Sequence, residues 1–217
     1  MLKVVVYDSG MGGELFASFL KEEVPVLKVV PVIDRKNTKL ITRGRFKPRK
    51  IVEDALKPYI GNADMIVLAN HQLTITTLDY LKRHYPNQKF IGFDLPEVDT
   101  FVNRKTLTLS TSAVSKSLAF RRYVKSLRRD TVTVNLDLLP ALIDSGKLKM
   151  CELRSIFIKA VKFNPREIII ACSHFHYLES PLRRIYSSNI KIHTSYRDVV
   201  RRTCKELKLR GYRVGKK

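Results

Sequence analysis

A thiol, a hydroxyl and two imidazoles stand together at Cys172-Ser173-His174-Phe175-His176, directly after the apolar run Ile168-Ile169-Ile170-Ala171. A short Ile run of this kind, opening after Pro165, reads as a buried parallel strand. Ligands of open α/β sheets sit beyond the carboxyl ends of such strands, so these polar residues are the ones a substrate would meet. Cys172 is therefore the candidate nucleophile or base; its plain alternative is a small buried apolar residue. Ser180-Pro181 has the form of a helix N-cap and first turn, and a helix start there would favour a thiolate. On a strand, Cys172, His174 and His176 would share one face. Structural zinc sites, however, space paired ligands by two residues or more, and the sequence has no second cluster. No metal is expected.

A second constellation lies at the start. Leu2 to Tyr7 is β-branched, and Asp8-Ser9-Gly10-Met11-Gly12-Gly13 interrupts it before Phe16, Phe19 and Leu20 resume at helical spacing. A strand, a glycine turn and a helix expose backbone N–H groups to a carboxylate or phosphate. The glycine spacing is not that of a dinucleotide fingerprint. Two more polar turns follow apolar runs, Ala69-Asn70-His71-Gln72 after Met65–Leu68 and Ser110-Thr111-Ser112 after Thr106–Leu109.

The elements that must position these turns alternate along the chain. Strands are expected at 27–33, 65–68, 89–93, 106–109, 131–134, 168–171 and 190–193. Helices are expected at 51–59, through Leu78 and Leu81, around Phe120–Leu127, in short form at 138–143, around Leu153–Val161, from Pro181, and at the end, burying Val200, Cys204 and Leu207 and stopping at Gly211. This alternation specifies an α/β protein with mostly parallel sheets. The rhythm repeats, which predicts two pseudo-symmetric α/β/α domains facing a cleft. Residues 1–97 with 195–217 would form one, and residues 98–194 the other.

The 217 residues are 44% hydrophobic and carry a formal charge of +21. The charge is clustered: residues 35–50 hold eight basic and no acidic side chains, and residues 116–129 hold six and none. With residues 181–217 these stretches carry more than the whole net charge. Such clusters attract nucleic acid or another polyanion, unless they are simply solvated surface. Arg121, Arg122, Arg201 and Arg202 are expected on polar helix faces suited to that contact. The sequence shows no bilayer-length apolar run, no signal-peptide pattern, and three widely spaced cysteines. A reduced, cytoplasmic protein is expected. The oligomeric state stays open, a homodimer included.

Taken together, these motifs resemble the aspartate/glutamate racemase superfamily, glutamate racemase most of all. Asp8-Ser9-Gly10-Met11-Gly12-Gly13 matches the family's Asp-Ser-Gly-x-Gly-Gly. Ala171-Cys172-Ser173-His174-Phe175-His176 matches in part its Gly-Cys-Thr-His-Tyr-Pro, and Ile91-Gly92-Phe93-Asp94-Leu95-Pro96 resembles Ile-Gly-Val-x-Glu-Pro. Thr111, Ser117 and Leu139-Pro140 to Gly146 fall at similar places. The resemblance implies two α/β domains and cofactor-independent chemistry, in which two cysteines remove and return an α-proton from opposite faces. It implies Cys172 as one cysteine, Asp8 and His174 as assisting groups, and Ser9, Asn70, Thr111 and Ser173 on the substrate side. The match fails at the first cysteine. The family's Ala-Cys-Asn-Thr is here Leu68-Ala69-Asn70-His71, leaving Ala69 where a proton carrier is required. The family's Pro-Tyr-Gly is not found, Thr42-Arg43-Gly44 standing nearby instead, and Val114 replaces a threonine expected to bind the substrate carboxylate. His71 is the neighbour that could substitute as base, with Thr74 and Thr76 close by.

The resulting expectation is a divergent glutamate racemase homologue, binding a small amino-acid or carboxylate ligand and keeping one catalytic-type cysteine. The alternatives are a one-cysteine decarboxylase or isomerase, a polyanion-binding protein that keeps only the fold, and a carboxylate-binding regulator.

Overall fold

The computed structural model describes residues 1–38, 40, 48–98, 105–128, 130–149, 153, 155, 157, 163–186 and 189–209. Thr42-Arg43-Gly44, Cys151, Gly211 and most of the expected helix at Leu153–Val161 lie outside the described residues.

The chain divides into two compact units, residues 1–94 with 195–217 and residues 95–194. The first unit contains β1 (Lys3–Asp8), α1 (Met11–Glu23), β2 (Lys28–Ile33), α2 (Pro48–Leu56), β3 (Met65–Leu68), α3 (His71–His84) and β4 (Phe90–Gly92). Its strands are all parallel, in the order β2-β1-β3-β4. Val4 and Val6 face one apolar cluster with Phe16, Leu20, Tyr196 and Val200; Val5 and Tyr7 face another with Val52, Leu56, Leu73 and Leu81. A strand buried on both faces must be apolar at successive positions, which is why this run does not alternate.

The second unit contains β5 (Thr106–Ser110), α4 (Ser112–Ser115), α5 (Leu118–Leu127), β6 (Thr131–Asn135), α6 (Leu139–Asp144), β7 (Glu167–Ile170), a 3₁₀ helix (Ser173–Leu178), α7 (Glu179–Ile185) and β8 (Lys191–His193). Its parallel order, β6-β5-β7-β8, repeats that of the first sheet. Ser117 caps α5 by accepting from the Phe120 N–H, a structural employment for that residue. The closing helix, α8 (Ser195–Glu206), belongs to the first unit.

The helix expected at 51–59 runs from Pro48 to Leu56, and two expected capping signals are not used. No helix begins at Ser180-Pro181: the chain turns at once after Cys172 into the 3₁₀ helix, and α7 starts at Glu179 without a side-chain cap. At the other end, α8 stops at Glu206, well before Gly211. Lys208 takes the left-handed conformation (φ 54) and the Leu209 N–H donates to the Cys204 carbonyl. The capping geometry usual for glycine is thus adopted by a lysine.

Among the described residues, no helix is long and apolar enough to cross a membrane.

Candidate functional site

In each sheet the strand order reverses direction between two central strands, β1 and β3 in one unit and β5 and β7 in the other. Loops leaving the carboxyl ends of such a pair splay apart and open a crevice. The candidate residues follow these four strands.

In the first unit Asp8 ends β1 and is fully buried. Its Oδ1 accepts from the Ser9 N–H at 2.6 Å and from Asn70 Nδ2 at 2.8 Å. Asn70 in turn caps α3 by accepting from the Leu73 N–H, so one side chain is fixed at both ends. A Cβ added to Gly13 would stand 2.4 Å from the Asp8 Cβ, so only glycine permits this approach of helix to strand. The Ser9 carbonyl accepts from Thr38 Oγ1.

Ala69, where the family resemblance expects a cysteine, is fully buried in the apolar cluster that also holds Phe16, Phe93 and Tyr196. The expected substitute, His71, has a different employment. Its Nε2 lies 2.9 Å from Ser195 Oγ, which donates to the Asp94 carbonyl at 2.6 Å. With the hydroxyl proton so engaged, Nε2 must be the donor, which assigns the proton to that nitrogen. The ring meets the Phe93 ring edge-on at 5.5 Å, and Nδ1 is buried with no hydrogen-bond partner among the described residues. Burial pushes the His71 pKa down to about 3, so the imidazole is neutral and a poor proton acceptor near neutrality. The two other expected substitutes are also occupied. Thr74 Oγ1 accepts from the Phe93 N–H, and Thr76 Oγ1 donates to the Gln72 carbonyl within α3.

In the second unit β7 delivers Cys172 to the strand end, where it is almost buried. The Cys172 Sγ lies 4.0 Å from His174 Nδ1, and His174 Nε2 lies 3.3 Å from Asp144 Oδ1. A carboxylate behind Nε2 favours the proton on that nitrogen, leaving Nδ1 to face the thiol as acceptor. The imidazole thus stands between the thiol and the Asp144 carboxylate, at ion-pair distance from the carboxylate rather than hydrogen-bonded to it. Asp144 is the residue that sequence reasoning missed. It closes α6, and only the fold brings it to His174; its one signal was a carboxylate at the end of the Leu139–Gly146 segment.

His176 does not join this group. The 3₁₀ helix breaks strand alternation, and His176 Nδ1 pairs with Glu179 Oε1 at 2.8 Å. Among the described residues, no group of three His, Cys, Asp or Glu could hold a metal ion. Ser173 is buried beside Cys172. Thr111 sits at the cap of α4, its carbonyl accepting from the Val114 and Ser115 N–H groups. Ser112 is held by Asp137 through both its N–H and its hydroxyl.

Two of the four arginines expected on free helix faces are engaged. Arg202 donates to the Asp94 carboxylate and to the Gly92 carbonyl, and Arg201 pairs with Asp198. Arg121 and Arg122 are exposed.

No protein-family model matches the chain. The glutamate racemase of Halothermothrix orenii is 24% identical over 229 residues, covering 99% of this chain and 88% of that protein. The structure of Escherichia coli glutamate racemase, determined with L-glutamate and the activator UDP-MurNAc-Ala, superposes with a TM-score of 0.81 at 16% identity. It covers 96% of this chain and 83% of that one. Picrophilus torridus aspartate racemase superposes with a TM-score of 0.66 at 15% identity, covering 94% and 92%. Over nearly its whole length the chain is thus similar in sequence to glutamate racemases, and it has the two-domain α/β fold found in glutamate and aspartate racemases.

Proposed function

We propose that this protein binds a small amino acid or related carboxylate and handles a proton from one side only, through Cys172. The observation that carries the reading is the contrast between two strand ends of like design. One presents a thiol backed by His174 and Asp144; the other presents the methyl group of Ala69, with His71 neutral and turned to Ser195. Inverting an amino acid requires an acid and a base on opposite faces of the α-carbon. One thiolate can remove the α-proton and the same thiol can return one, which exchanges hydrogen while retaining configuration. The same arrangement suits protonation of a carbanion left by decarboxylation. Asp8, Ser9, Asn70, Thr111 and Ser173 serve ligand binding in this reading. No cofactor is needed for either step. The free thiols of Cys172 and Cys204 support a cytoplasmic setting.

The test is incubation with each enantiomer of glutamate and aspartate in deuterium oxide, reading label at the α-carbon and optical inversion separately. Label without inversion is expected. Losing a positioned acid–base group should slow exchange by about 10²- to 10⁴-fold in Cys172→Ala. Robust inversion would refute the proposal, and its loss in both Cys172→Ala and His71→Ala would install His71 as the second carrier. If no label enters, binding of the same four compounds decides for a regulator, and absence of binding refutes the reading altogether.

A further inference from the structure

The two sheets share one strand order but not one treatment of their edges. In the first sheet the edge strand β2 carries Pro31. The Lys28 and Asp34 N–H groups donate to Leu2 and Asp8 carbonyls, so even-numbered residues of β2 face β1 and Pro31 faces outward. The edge therefore lacks a donor at its middle, a usual defence against pairing with another chain. The equivalent edge of the second sheet is β6, Thr131-Val132-Thr133-Val134-Asn135, with neither proline nor charge. There the Asp130 carbonyl accepts from the Thr106 N–H, and the Leu136 N–H donates to the Ser110 carbonyl. Even-numbered residues again face inward, which turns the N–H and C=O groups of Thr133 and Asn135 to an edge that no described strand pairs with.

Beside this edge runs a groove of about 400 Å³ between β6 and α5. Phe120 and Val124 supply its apolar part, Arg121 and Lys125 its charge, and Thr133 and Asn135 its strand side. Among the described residues, Arg121 and Lys125 have no carboxylate partner, and both are exposed. Val132 is also exposed, on the opposite face of the same strand.

We propose that β6 and the groove dock an extended acidic segment of a partner protein, added to the sheet as a further strand. Main-chain bonds to Thr133 and Asn135 would hold it, alternate apolar side chains would enter beside Phe120 and Val124, and acidic side chains would meet Arg121 and Lys125. A second copy of this chain fits poorly, because a molecule of charge +21 repels itself across this cationic rim. A nucleic acid would use the cations but has no use for an open strand edge or an apolar floor.

The test is fluorescence anisotropy of the full-length protein with a labelled peptide of about eight alternating Glu and Val residues, in about 0.15 M salt. Its comparators are the same peptide N-methylated at alternate residues and a single-stranded thymidine oligonucleotide of equal charge. Peptide binding should fall at least about tenfold on N-methylation and again in Arg121→Glu/Lys125→Glu. It should change little in Lys21→Glu/Lys82→Glu, which reverses equal charge on the first unit. Absence of peptide binding would overturn the proposal. So would indifference to N-methylation, or an oligonucleotide bound as tightly as the peptide and weakened equally by both double substitutions.

Discussion

The buried His71 couples the stability of the first unit to pH in a way that can be isolated. In the fold its pKa is pushed down to about 3 by burial, from an ordinary value of 6.5. The folded protein therefore keeps His71 neutral at pH values where the unfolded chain protonates it. The contribution of the neutral ring is complete above the unfolded pKa and is lost as pH falls from about 6.5 towards about 3. Within that window each pH unit costs about 1.4 kcal/mol, which gives a ceiling of about 5 kcal/mol across the whole shift. Between pH 7 and pH 5 the loss from this residue alone is about 2 kcal/mol. His71→Gln is the informative variant. A glutamine amide can still donate to Ser195 Oγ, in place of the 2.9 Å bond of the imidazole, but it does not titrate. Urea unfolding at pH 7 and pH 5 should show a smaller acid loss in the variant, by about 2 kcal/mol. If both proteins lose equal stability, or if the native imidazole titrates near 6.5 by NMR, His71 is not held neutral. An imidazole that titrates there would be able to serve as the second proton carrier.

Restoring a thiol by Ala69→Cys places sulfur in a fully buried apolar site; it should cost about 1–3 kcal/mol in urea unfolding and should not confer inversion. Appearance of inversion would show that this strand end opens to substrate. Gly13→Ala drives a Cβ to 2.4 Å from that of Asp8. It should lower stability by about 1–3 kcal/mol and weaken carboxylate binding in calorimetry. Asp144→Asn keeps the shape behind His174 Nε2 but removes the charge, so deuterium exchange should slow by at least about tenfold while ligand affinity holds. Arg202→Lys keeps a cation beside Asp94 but cannot also reach the Gly92 carbonyl. Because the pair is partly exposed, the expected loss is only about 0.5–1 kcal/mol in urea unfolding.

The strands were legible because their cause is local. Val4-Val5-Val6 and Ile168-Ile169-Ile170 are buried on both faces, a position that favours unbroken apolar, β-branched runs. The polar turns after them were legible for the same reason, since a polar residue following such a run must leave the sheet. Helix ends were less so. Ser180-Pro181 has the chemistry of a start, yet the close turn after Cys172 had already committed the chain to the 3₁₀ helix. Gly211 has the chemistry of a stop, yet α8 closes earlier through the Leu209 N–H to Cys204 carbonyl bond. The contacts of His71 with Ser195 and of His174 with Asp144 were not legible, because the partners are distant in sequence. No spacing rule reaches across such separations.

The two units share a strand order, so the difference between their strand ends lies in side chains rather than scaffold. At Cys172 a thiol, an imidazole and a carboxylate lie near one another. At Ala69 the neighbouring polar groups are arranged to be still. Asp8 is fixed by two N–H donors, Asn70 is fixed between Asp8 and the start of α3, and His71 is fixed by Ser195. None of these bonds needs a thiol at position 69 to be satisfied. A rigid carboxylate and amide can orient a charged ligand group without exchanging protons with it. On the proposed reading, the strand ends of the first unit would serve to hold a ligand group and that of Cys172 in the second to move a proton.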